Sequence, residues 1–346
     1  MPDQKTDQEA VRRVVDVITG TWQAQALYAA VALDLPDHVA AGHVTDSALA
    51  AAAGAGEDGV RRLTRLLTAL GVLEPAEAPG PDGPVHRLTP TGELLRTGVP
   101  RSLAAMVRIY GEEFHRAWGA VVPAIRTGES GFRHAFGQSL HEYLRDPEAG
   151  ARFQRAMNAG NVFFPDVPAA FDFSGARTVV DVAGGSGMLL GTVLAARPEA
   201  RGILVDQPHM IPVAVEHLDA TVGPDRYEAR AVDLFADEPG LPAGADVYLL
   251  SRVLQDWDDD RCVALLSRLR AALGDTGGRL LILERVVPEH GETLLPLLYD
   301  LHLLVAAGGR ERDLAGYRAV LAAAGLRLES VHPLSLETSL LVAAAA

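Results

Sequence analysis

The N-terminal part of the chain repeats apolar side chains with the period of a helix. Between residues 8 and 33 the apolar positions include Val11, Ile18 and Trp22, and their spacing predicts one long helix with a single apolar stripe. Such a stripe must be buried, either on its own domain or on a partner subunit. The pattern therefore indicates that this helix packs either on its own domain or on a second copy of the chain.

Residues 45–70 predict two shorter helices, with Thr45 and Asp46 as candidate N-caps of the first. After a Pro/Gly-rich stretch (75–84), HRLTPTGELLR completes a pattern that resembles a helix–turn–helix followed by a wing. This unit would either dimerise or bind DNA through three helix arginines, Arg61, Arg62 and Arg65. We favour dimerisation, because 45 acidic residues against 31 Lys and Arg give a net charge of −14, which disfavours a nucleic-acid partner held by charge.

The next segment, residues 100–170, predicts mostly helices and concentrates the aromatic residues of a chain that is only 5% aromatic. The aromatic side chains there include Trp118, Phe132, Phe136, Tyr143, Phe153, Phe163 and Phe164. Aromatic residues at helical spacing are usually core, and a helix can line a ligand cavity with part of its core face. We therefore expect this segment to contribute to a pocket.

After Asp172 short apolar runs alternate with helical segments, which is typical of a doubly wound parallel sheet. The strand-like runs are 177–183, 201–206, 227–233, 245–251 and 278–284, with helices beginning near Met188, Pro208 or Ile211, and Asp258. A helix over 312–324 is followed by two strand-like runs separated only by Ser335 and Leu336. So short a link predicts an antiparallel hairpin.

Composition narrows the class of protein further. The single cysteine, Cys262, excludes a disulfide framework and a thiolate metal cluster, and favours the cytoplasm. The sequence contains neither an 18-residue apolar run nor a signal-peptide pattern at its N-terminus. We therefore expect a cytoplasmic protein without a membrane partner.

The clearest local motif is a glycine-rich turn, Asp181-Val-Ala-Gly184-Gly185-Ser-Gly187, at the end of the first strand of the sheet. Glycines let a ligand approach the backbone closely, and the following helix N-terminus favours an anionic group. A dinucleotide fingerprint beginning at Gly185 would need glycine where Leu190 stands, and no Walker lysine follows. The turn predicts a ligand site but does not by itself identify the ligand.

Two further carboxylates end the next two predicted strands and narrow the choice of ligand. Asp206 can accept both hydroxyls of a ribose, and Asp233 can accept an adenine amino group beside Leu234 and Phe235. Ligands of open α/β sheets bind at the carboxyl ends of the strands, so these sites converge on one crevice. Carboxylates with few cations suit a ligand without phosphates that carries its own positive charge. S-adenosylmethionine has these properties.

Several motifs in this order and spacing resemble the small-molecule O-methyltransferases of the caffeic-acid/hydroxyindole type: DVAGGSG, LVDQP, VDLF, VLQDWDDD, LILERVVPE, YDLHLL and GGRERD. The chain is most similar to the bacterial branch that modifies antibiotics and aromatic polyketides. The resemblance covers the whole chain. It implies an N-terminal helical, winged-helix-like dimerisation domain (1–100), a helical linker lining the substrate pocket (101–165) and a Rossmann-like class I methyltransferase domain (166–346), acting as a homodimer.

The resemblance also implies roles for individual residues. The implied cofactor-binding residues are Asp181, Gly184, Gly185, Gly187, Asp206, Gln207, Asp233, Leu234, Phe235, Ser251 and Arg252. The residues implied to lie near an aromatic acceptor are Met157, Asn161, Trp257, His302 and Leu303. The residues implied to border the transfer point are Gln255, Glu284 and Glu311, with Asp256 supporting the loop, and we expect Arg310 and Arg312 to form ion pairs that position Glu311.

The chain departs from the family at one position. The family carries a catalytic histidine directly before Asp-Trp, and here the tripeptide is Gln255-Asp256-Trp257. Glutamine has no titratable proton, so Gln255 cannot be a general base. Three interpretations follow: the acceptor hydroxyl is already acidic and Gln255 orients it; His302 or Glu311 deprotonates it; or the bound cofactor serves a non-methylating reaction such as hydroxylation, decarboxylation or cyclisation.

The remaining clusters do not change this interpretation. Asp256 and Asp258–Asp260 suggest a magnesium site, but Asp258 is better explained as the N-cap of the next helix, and we expect no metal. A ligand-binding DNA regulator is the alternative from a different class of protein. The sequence thus predicts S-adenosylmethionine-dependent methyl transfer to a hydroxyl of an aromatic, polyketide-derived small molecule.

Overall fold

The chain folds as two units whose segments alternate along the sequence. The computed structural model describes residues 4–76, 84–236, 240–290 and 293–346. The first unit runs through Arg116 and includes Pro147–Gly160, and the second comprises Ala117–Asp146 and Asn161–Ala346. The segment expected as a linker (101–165) is therefore divided between both units. Most of the Pro/Gly-rich stretch lies outside the described residues.

The first unit is mainly helical with a two-stranded wing. Its elements are α1 (Gln4–Ala32), α2 (Leu35–Ala40), α3 (Asp46–Ala52), α4 (Glu57–Ala69), β1 (Leu73–Pro75), β2 (His86–Leu88), α5 (Pro90–Glu93), α6 (Ala104–Gly111), most of α7 (Glu113–Trp118) and α11 (Pro147–Ala159). Strands β1 and β2 pair antiparallel. This is the helix–turn–helix and wing pattern that the sequence predicts.

The apolar stripe of α1 is covered only at its C-terminal end. Ala30 and Val31 lie in the core of the first unit, whereas Val14 and Ile18 are exposed and Trp22 is 65% exposed. Exposed apolar side chains in a row along one helix mark an interaction surface. The chain itself therefore leaves most of the predicted stripe available to a partner.

A polar network buried in the first unit assigns the candidate caps different roles. Thr45 caps α3, because its hydroxyl accepts the Ala48 N–H at 3.2 Å. Asp46 is buried, and its Oδ1 atom accepts the Thr64 hydroxyl at 2.8 Å and lies 2.8 Å from His86 Nε2. The capping role predicted for Thr45 is thus confirmed, and Asp46 instead ties α3, α4 and β2 together.

The second unit contains the large sheet. Its elements are α8 (Val121–Thr127), α9 (Gly131–Phe136), α10 (Leu140–Tyr143), α12 (Val167–Ala170), β3 (Thr178–Val182), α13 (Met188–Ala196), β4 (Arg201–Asp206), α14 (Ile211–Thr221), β5 (Tyr227–Ala231), β6 (Val247–Ser251), α15 (Asp259–Leu273), β7 (Arg279–Val287), α16 (Leu294–Ala306), β8 (Arg312–Asp313), α17 (Leu314–Ala323), β9 (Leu326–Pro333) and β10 (Thr338–Ala345). Every strand and helix predicted after Asp172 is present.

The strand order is β5-β4-β3-β6-β7-β10-β9, with β8 beside the end of β7. The first five strands of this order are parallel, and β10 is antiparallel to both β7 and β9. The order reverses between β3 and β6, where open α/β sheets bind their ligands. The predicted doubly wound sheet with a C-terminal antiparallel hairpin is confirmed.

Both faces of the sheet are buried, because successive strand residues point to opposite faces and each face is covered by helices. Val180 and Leu250 pack on the side of α15 and α17, whereas Val179 and Leu249 pack on the side of α13 and α14. Complete burial of one such side chain contributes about 1.5–3 kcal/mol. This two-sided core fixes where the strands end, and therefore where the loops at their carboxyl ends lie.

Candidate active site

The glycine-rich turn joins β3 to α13 with strained backbone. Ala183, Gly185 and Gly187 all have φ between 55° and 77°, which a residue with a side chain rarely adopts. A side chain at Gly184 would come within 2.8 Å of Leu204 and 2.9 Å of the Asp181 carboxyl. The glycines are therefore required by the turn itself, whatever ligand it binds.

Asp206 holds this turn in place. Its Oδ2 atom accepts the Gly185 N–H at 2.7 Å, and its Oδ1 atom accepts the Gln207 N–H at 2.6 Å. Each carboxylate oxygen has a second lone pair, so both oxygens can still accept another hydrogen bond. The sequence motif and the predicted ribose-binding carboxylate thus form one rigid element.

Two buried polar atoms near the ends of neighbouring strands have no hydrogen-bond partner among the described residues: Asp181 Oδ2, at the next-to-last position of β3, and Ser251 Oγ, at the last position of β6. Burial, together with the nearby Asp206 and against a backbone hydrogen bond from Leu190, raises the pKa of Asp181 to about 8. Buried polar groups are usually satisfied, so unsatisfied ones indicate a ligand site or stored strain. These atoms suit a polar ligand at the switch point of the sheet.

The predicted adenine-side residues form an aromatic cluster. Asp233 is exposed and its Oδ1 atom accepts the Phe235 N–H at 2.9 Å. The Phe235 ring contacts Trp257 edge-on at 5.1 Å, and the Arg261 guanidinium lies 4.8 Å from the Trp257 ring. His141 also stacks on Trp257, at 5.4 Å. Trp257, which we expected near the acceptor, therefore lies against the predicted cofactor residue Phe235.

Gln255 lies in a short 3₁₀ turn (Leu254–Asp256) that is anchored by a buried carboxyl group. Glu284 is fully buried, and its Oε1 atom accepts the N–H groups of Val253 at 3.0 Å and Leu254 at 2.9 Å. Burial raises the pKa of Glu284 well above its usual value, and Glu311 and Asp256 raise it further. The turn is thus anchored by a fully buried carboxyl group whose pKa is raised.

The GGRER segment lies directly against this turn. The Arg310 N–H donates to the Gln255 carbonyl at 2.8 Å, and a side chain at Gly309 would overlap the same carbonyl oxygen. Glu311 is buried, and its backbone N–H donates to Asp300 at 2.9 Å. Glu284 and the segment that carries Glu311 thus both contact the Gln255 turn, and the catalytic roles of the three residues stay predictions.

The electrostatic environment of these acids is unusual. Burial raises the pKa of Glu311 to about 7, and burial raises the pKa of Asp256 to about 6 against the opposing effects of Arg252 and a Gln255 hydrogen bond. In the part of the chain that the structure describes, neither Glu311 carboxylate oxygen nor Gln255 Oε1 has a hydrogen-bond partner. Perturbed carboxyl groups of this kind are typical of functional sites.

The ion pairs that we expected around Glu311 are wrong in detail. Arg312 is buried and binds Asp259 at 2.8 Å, and it also donates to the carbonyls of Leu254 and Trp257. The cation nearest to Glu311 is Arg285, with 3.9 Å between Nη1 and Oε1. Arg312 therefore stabilises the loop around Gln255, because that loop presents its carbonyls to the buried guanidinium.

The aspartates that follow Trp257 have structural roles. Asp258 caps α15 by accepting the Arg261 N–H at 2.9 Å, as predicted, and Asp259 pairs with Arg312. No group of three or more His, Cys, Asp or Glu side chains suited to a metal ion occurs within the described ranges. None of the helices described there is long and apolar enough to cross a membrane.

The remaining predicted site residues lie in three places. Arg252, which has a left-handed backbone (φ 53°), donates to Asn161 Oδ1 at 2.7 Å. His302 and Leu303 lie in the last turns of α16, and the Trp118 indole N–H donates to His302 Nδ1 at 3.1 Å. Met157 lies on α11 in the first unit.

Comparison with known proteins identifies the family. Residues 118–327 match the O-methyltransferase domain, and residues 15–98 match the O-methyltransferase dimerisation domain. The chain belongs to the O-methyltransferase family. The domain match covers more than half of the chain, so the resemblance expected from the motifs is confirmed.

Individual relatives extend this match over nearly the whole chain. The chain is 42% identical to a 3-amino-4-hydroxybenzoate 4-O-methyltransferase of Streptomyces cremeus over 98% of this chain and 92% of the relative. It is 37% identical to a phenazine-1-carboxylate N-methyltransferase of Pseudomonas aeruginosa, over 97% and 98%. Its structure is similar to that of NcsB1, an O-methyltransferase from neocarzinostatin biosynthesis, with a TM-score of 0.77 and 32% identity over 93% and 96% of the chains.

The NcsB1 structure holds S-adenosylmethionine and a hydroxynaphthoic acid. The family cofactor is therefore S-adenosylmethionine, as the sequence predicts. The relatives include methyltransferases of mitomycin and neocarzinostatin biosynthesis. The dimerisation domain supports self-association of this methyltransferase.

Proposed function

We propose that this methyltransferase transfers the methyl group of S-adenosylmethionine to a hydroxyl of an aromatic, polyketide-derived small molecule, with Gln255 in place of the usual catalytic histidine. One observation carries the proposal. The rigid unit of Asp206 and the glycine turn, the unpartnered atoms of Asp181 and Ser251, and the Gln255 turn all lie at the carboxyl ends of the parallel strands. A cofactor and an acceptor would therefore meet at one edge of the sheet.

The cofactor-side residues fit an adenosine ligand that carries no phosphate. Each Asp206 oxygen accepts one backbone N–H, from Gly185 or Gln207, and would use its second lone pair to accept a ribose hydroxyl. Asp181, Gly184 and Gly187 would face the methionine part together with Ser251 and Arg252, and Asp233, Leu234 and Phe235 would face the adenine. S-adenosylmethionine, when bound, supplies a methyl group on a positively charged sulfur.

On the acceptor side the chain must position a hydroxyl oxygen and dispose of its proton. Positioning provides much of the acceleration in a displacement between two bound molecules. An ordinary phenol with a pKa of about 10 is ionised to roughly one part in a thousand at pH 7, a deficit of about 4 kcal/mol. Gln255 can orient the hydroxyl through its amide but cannot remove that deficit. The proposal therefore includes an acceptor whose hydroxyl is already acidic.

Glu311 is the better remaining candidate for a proton acceptor. Its pKa of about 7 suits exchange of a proton at neutral pH. His302 is disfavoured, because its Nδ1 atom already accepts the Trp118 indole N–H, and burial followed by the field of Arg285 lowers its pKa to about 4. Asp256 would support the turn that presents Gln255.

A nitrogen acceptor is the second candidate function. The relative in Pseudomonas aeruginosa is named as an N-methyltransferase. A neutral aromatic amine needs no base before it attacks, so glutamine at position 255 would carry no penalty for such an acceptor.

The test uses the purified protein with methyl-labelled S-adenosylmethionine and hydroxylated or aminated aromatic compounds. The panel includes 3-amino-4-hydroxybenzoate, the substrate named for the relative in Streptomyces cremeus. Labelled O-methyl product supports the proposal, and labelled N-methyl product supports the second candidate. A transformed substrate alongside unconsumed cofactor would contradict both and indicate a non-methylating reaction.

We also propose that the enzyme acts as a homodimer joined through the exposed stripe of α1. Replacement of Ile18 and Trp22 by glutamate would place charges on this apolar surface. Sedimentation velocity should then show monomers. Replacement of the exposed Arg12 on the same helix is the control, and dimers that persist in the double variant would exclude this surface.

A further inference from the structure

Arg285 is a buried cation near the carboxyl end of β7. Its side chain is 4% exposed, and Nη1 lies 3.9 Å from Oε1 of Glu311, whose side chain is fully buried. The guanidinium lies over the Tyr299 ring of α16, 3.7 Å from the ring centroid. Cation–π contacts of this kind are strongest where water is excluded. The ring therefore holds a positive charge beside Glu311.

The pair is close enough for an electrostatic interaction but not for a hydrogen bond. A separation of 3.9 Å exceeds the donor–acceptor distance of protein hydrogen bonds. Within the ranges that the structure describes, Arg285 Nε and both Glu311 carboxylate oxygens have no hydrogen-bond partner. An opposite charge within about 4–6 Å still favours the ionised carboxyl group. Arg285 therefore favours the charged form of Glu311 without occupying the oxygens that would take a proton.

Other charged groups near Glu311 act in both directions. Burial raises the pKa of Glu311, and the carboxylates of Asp300 and Asp256 raise it further. Arg285 is the strongest opposing influence and Arg252 adds a smaller one, so that the pKa is about 7. Further titratable groups around the pair are Glu284 on β7, His302 on α16, Tyr317 on α17 and Arg312 on β8. Arg285 is thus the main charge that lets Glu311 ionise near neutral pH.

A positive charge at this distance has a chemical consequence. A base must be unprotonated before it can take a proton from the acceptor. Without Arg285, burial and the neighbouring carboxylates would keep Glu311 protonated at neutral pH. A directly hydrogen-bonded arginine would instead make Glu311 a weak base, because charge-assisted hydrogen bonds stabilise the carboxylate strongly. The separation of 3.9 Å lies between these two cases.

We propose that Arg285 is a positioning residue for proton removal: its guanidinium, held on Tyr299, keeps Glu311 in the carboxylate form and leaves both oxygens available to the acceptor's proton. The proposal rests on the role proposed above for Glu311. The hydroxyl proton passes from the acceptor to a Glu311 oxygen, and the electron pair of the O–H bond stays on the acceptor oxygen. Glu311 then releases the proton to water and is a carboxylate again.

The first experiment measures Glu311 without any substrate. Arg285→Met removes the charge, keeps a long unbranched side chain and should raise the pKa of Glu311 in the folded protein by about one unit or more. A group whose pKa is raised by folding contributes stability that is lost as the pH rises through the folded-state value. The contribution of Glu311 is the difference in the free energy of unfolding with and without Glu311→Gln, measured in urea over about pH 5–9. This difference should level off near pH 7 in the wild-type background, and at about pH 8 or higher with Arg285→Met.

The second experiment follows the rate of methylation of 3-amino-4-hydroxybenzoate. A rise of the Glu311 pKa from about 7 to about 8 would reduce its ionised fraction at pH 7 from about one half to about one eleventh. We therefore expect kcat/KM of Arg285→Met to fall about fivefold or more at pH 7, and this deficit to diminish as the pH rises to about 9. The ratio to wild type removes the ionisation of the substrate itself from the comparison. A side chain needed only for packing would lower the rate at every pH.

Two variants and one binding measurement serve as controls. Arg285→Lys keeps a positive charge at this position and should recover most of the wild-type stability and rate profiles. Arg318→Met removes an exposed charge from α17 of the same unit and should shift neither profile. Binding of S-adenosylhomocysteine to Arg285→Met should be unchanged, which tests that the variant is folded.

The two experiments distinguish this inference from the proposed function. A stability difference that levels off at the same pH in both backgrounds would overturn the inference, whatever the rates show. An equal loss of rate at all pH values, or Arg285→Lys behaving like Arg285→Met, would also overturn it. A shifted stability profile with an unshifted rate profile would remove Glu311 from proton transfer, and the inference would then fall together with that part of the proposed function.

Discussion

The two halves of the sheet's carboxyl edge are built by different means. Around the glycine turn, Asp206 ends β4 and Gly185 follows the adjacent strand β3, and the Asp206 carboxylate accepts the Gly185 backbone N–H. Around Gln255 the important side chains come from distant parts of the chain, as when Glu284 accepts amides 30 and 31 residues before it. The first half is a local motif, and the second exists only after the sheet has formed.

The halves also differ in how their charges are satisfied. Both Asp206 oxygens accept backbone hydrogen bonds. Both Glu311 oxygens, in contrast, have no hydrogen-bond partner in the described ranges, and the nearest cation is 3.9 Å away. Buried, poorly paired carboxyl groups shift their pKa and are sensitive to substitution. The carboxylate of the cofactor half is therefore fixed by hydrogen bonds, whereas the carboxyl group of Glu311 in the Gln255 half is buried and incompletely paired.

The largest expected effect tests how the Gln255 half is held together. Glu284→Ala leaves two buried N–H groups without an acceptor, and each unsatisfied group costs about 1–3 kcal/mol. The free energy of unfolding should fall by about 3 kcal/mol or more in urea titrations. Glu284→Gln keeps an acceptor at Oε1 and the size of the side chain, so this variant should lose far less. Equal losses would contradict the structural role of Oε1.

The second prediction tests the cofactor half. Asp206→Ala removes the ligand-facing carboxylate and also releases the amides of Gly185 and Gln207. If the carboxylate accepts both ribose hydroxyls, the variant loses two hydrogen bonds between the ligand and a charged group, at about 1.5–3 kcal/mol each. Calorimetry should then show S-adenosylhomocysteine binding at least a hundredfold more weakly. Asp225→Ala, on an exposed turn of the same unit, is the matched control. A loss of less than threefold would remove Asp206 from the cofactor site.

Sequence reasoning succeeded where function depends on a short segment and its strand. The fold, the glycine turn, the cap at Asp258 and the family itself all follow from periodicity and local motifs. The grouping of Gln255, Glu284 and Glu311, in contrast, came only from the family resemblance, since Glu284 lies within β7 and Glu311 directly precedes β8. The roles of the individual site residues stay predictions.

What the sequence could not provide are pairings set by tertiary packing. Trp118 and His302 are 184 residues apart, and the Arg312 pair with Asp259 spans 53 residues. A buried arginine can pair with any carboxylate or carbonyl that the fold brings within hydrogen-bond distance. The position of Arg312 next to Glu311 in the sequence therefore did not predict its partner. Likewise, Trp257 follows Asp256 in the chain but turns towards Phe235.

The third prediction concerns a variant that restores the family's catalytic histidine at position 255. Gln255→His introduces a group that titrates near neutral pH directly before Asp256. If Gln255 only orients an acidic hydroxyl, methylation of an ordinary phenol such as 1-naphthol should increase at least about tenfold at pH 7, which is a small part of the 10²–10⁴-fold that a well-placed general base contributes. Gln255→Asn adds no base and should show no gain. An unchanged rate for Gln255→His would mean that proton removal does not limit this enzyme.

The smallest expected effect concerns the pH dependence of stability, and it follows from the raised pKa of Glu311. The folded protein binds the Glu311 proton up to about pH 7, whereas in the unfolded chain a glutamate releases it near its usual value of about 4.3. Between these values the native state binds more protons than the unfolded state, so the stabilising contribution present at pH 4 is lost as the pH rises towards 7.

Glu311→Gln removes this titration. The free energy of unfolding of the wild type should therefore decline between pH 5 and 6.5 relative to that of the variant, by about 1–2 kcal/mol, since each unit of pKa difference is worth 1.36 kcal/mol. Glu337→Gln, at an exposed glutamate, is the control and should leave the wild-type slope unchanged. If the wild type and Glu311→Gln ran parallel over this range, Glu311 would have an ordinary pKa, and it would lose its place as the better candidate for taking the acceptor's proton.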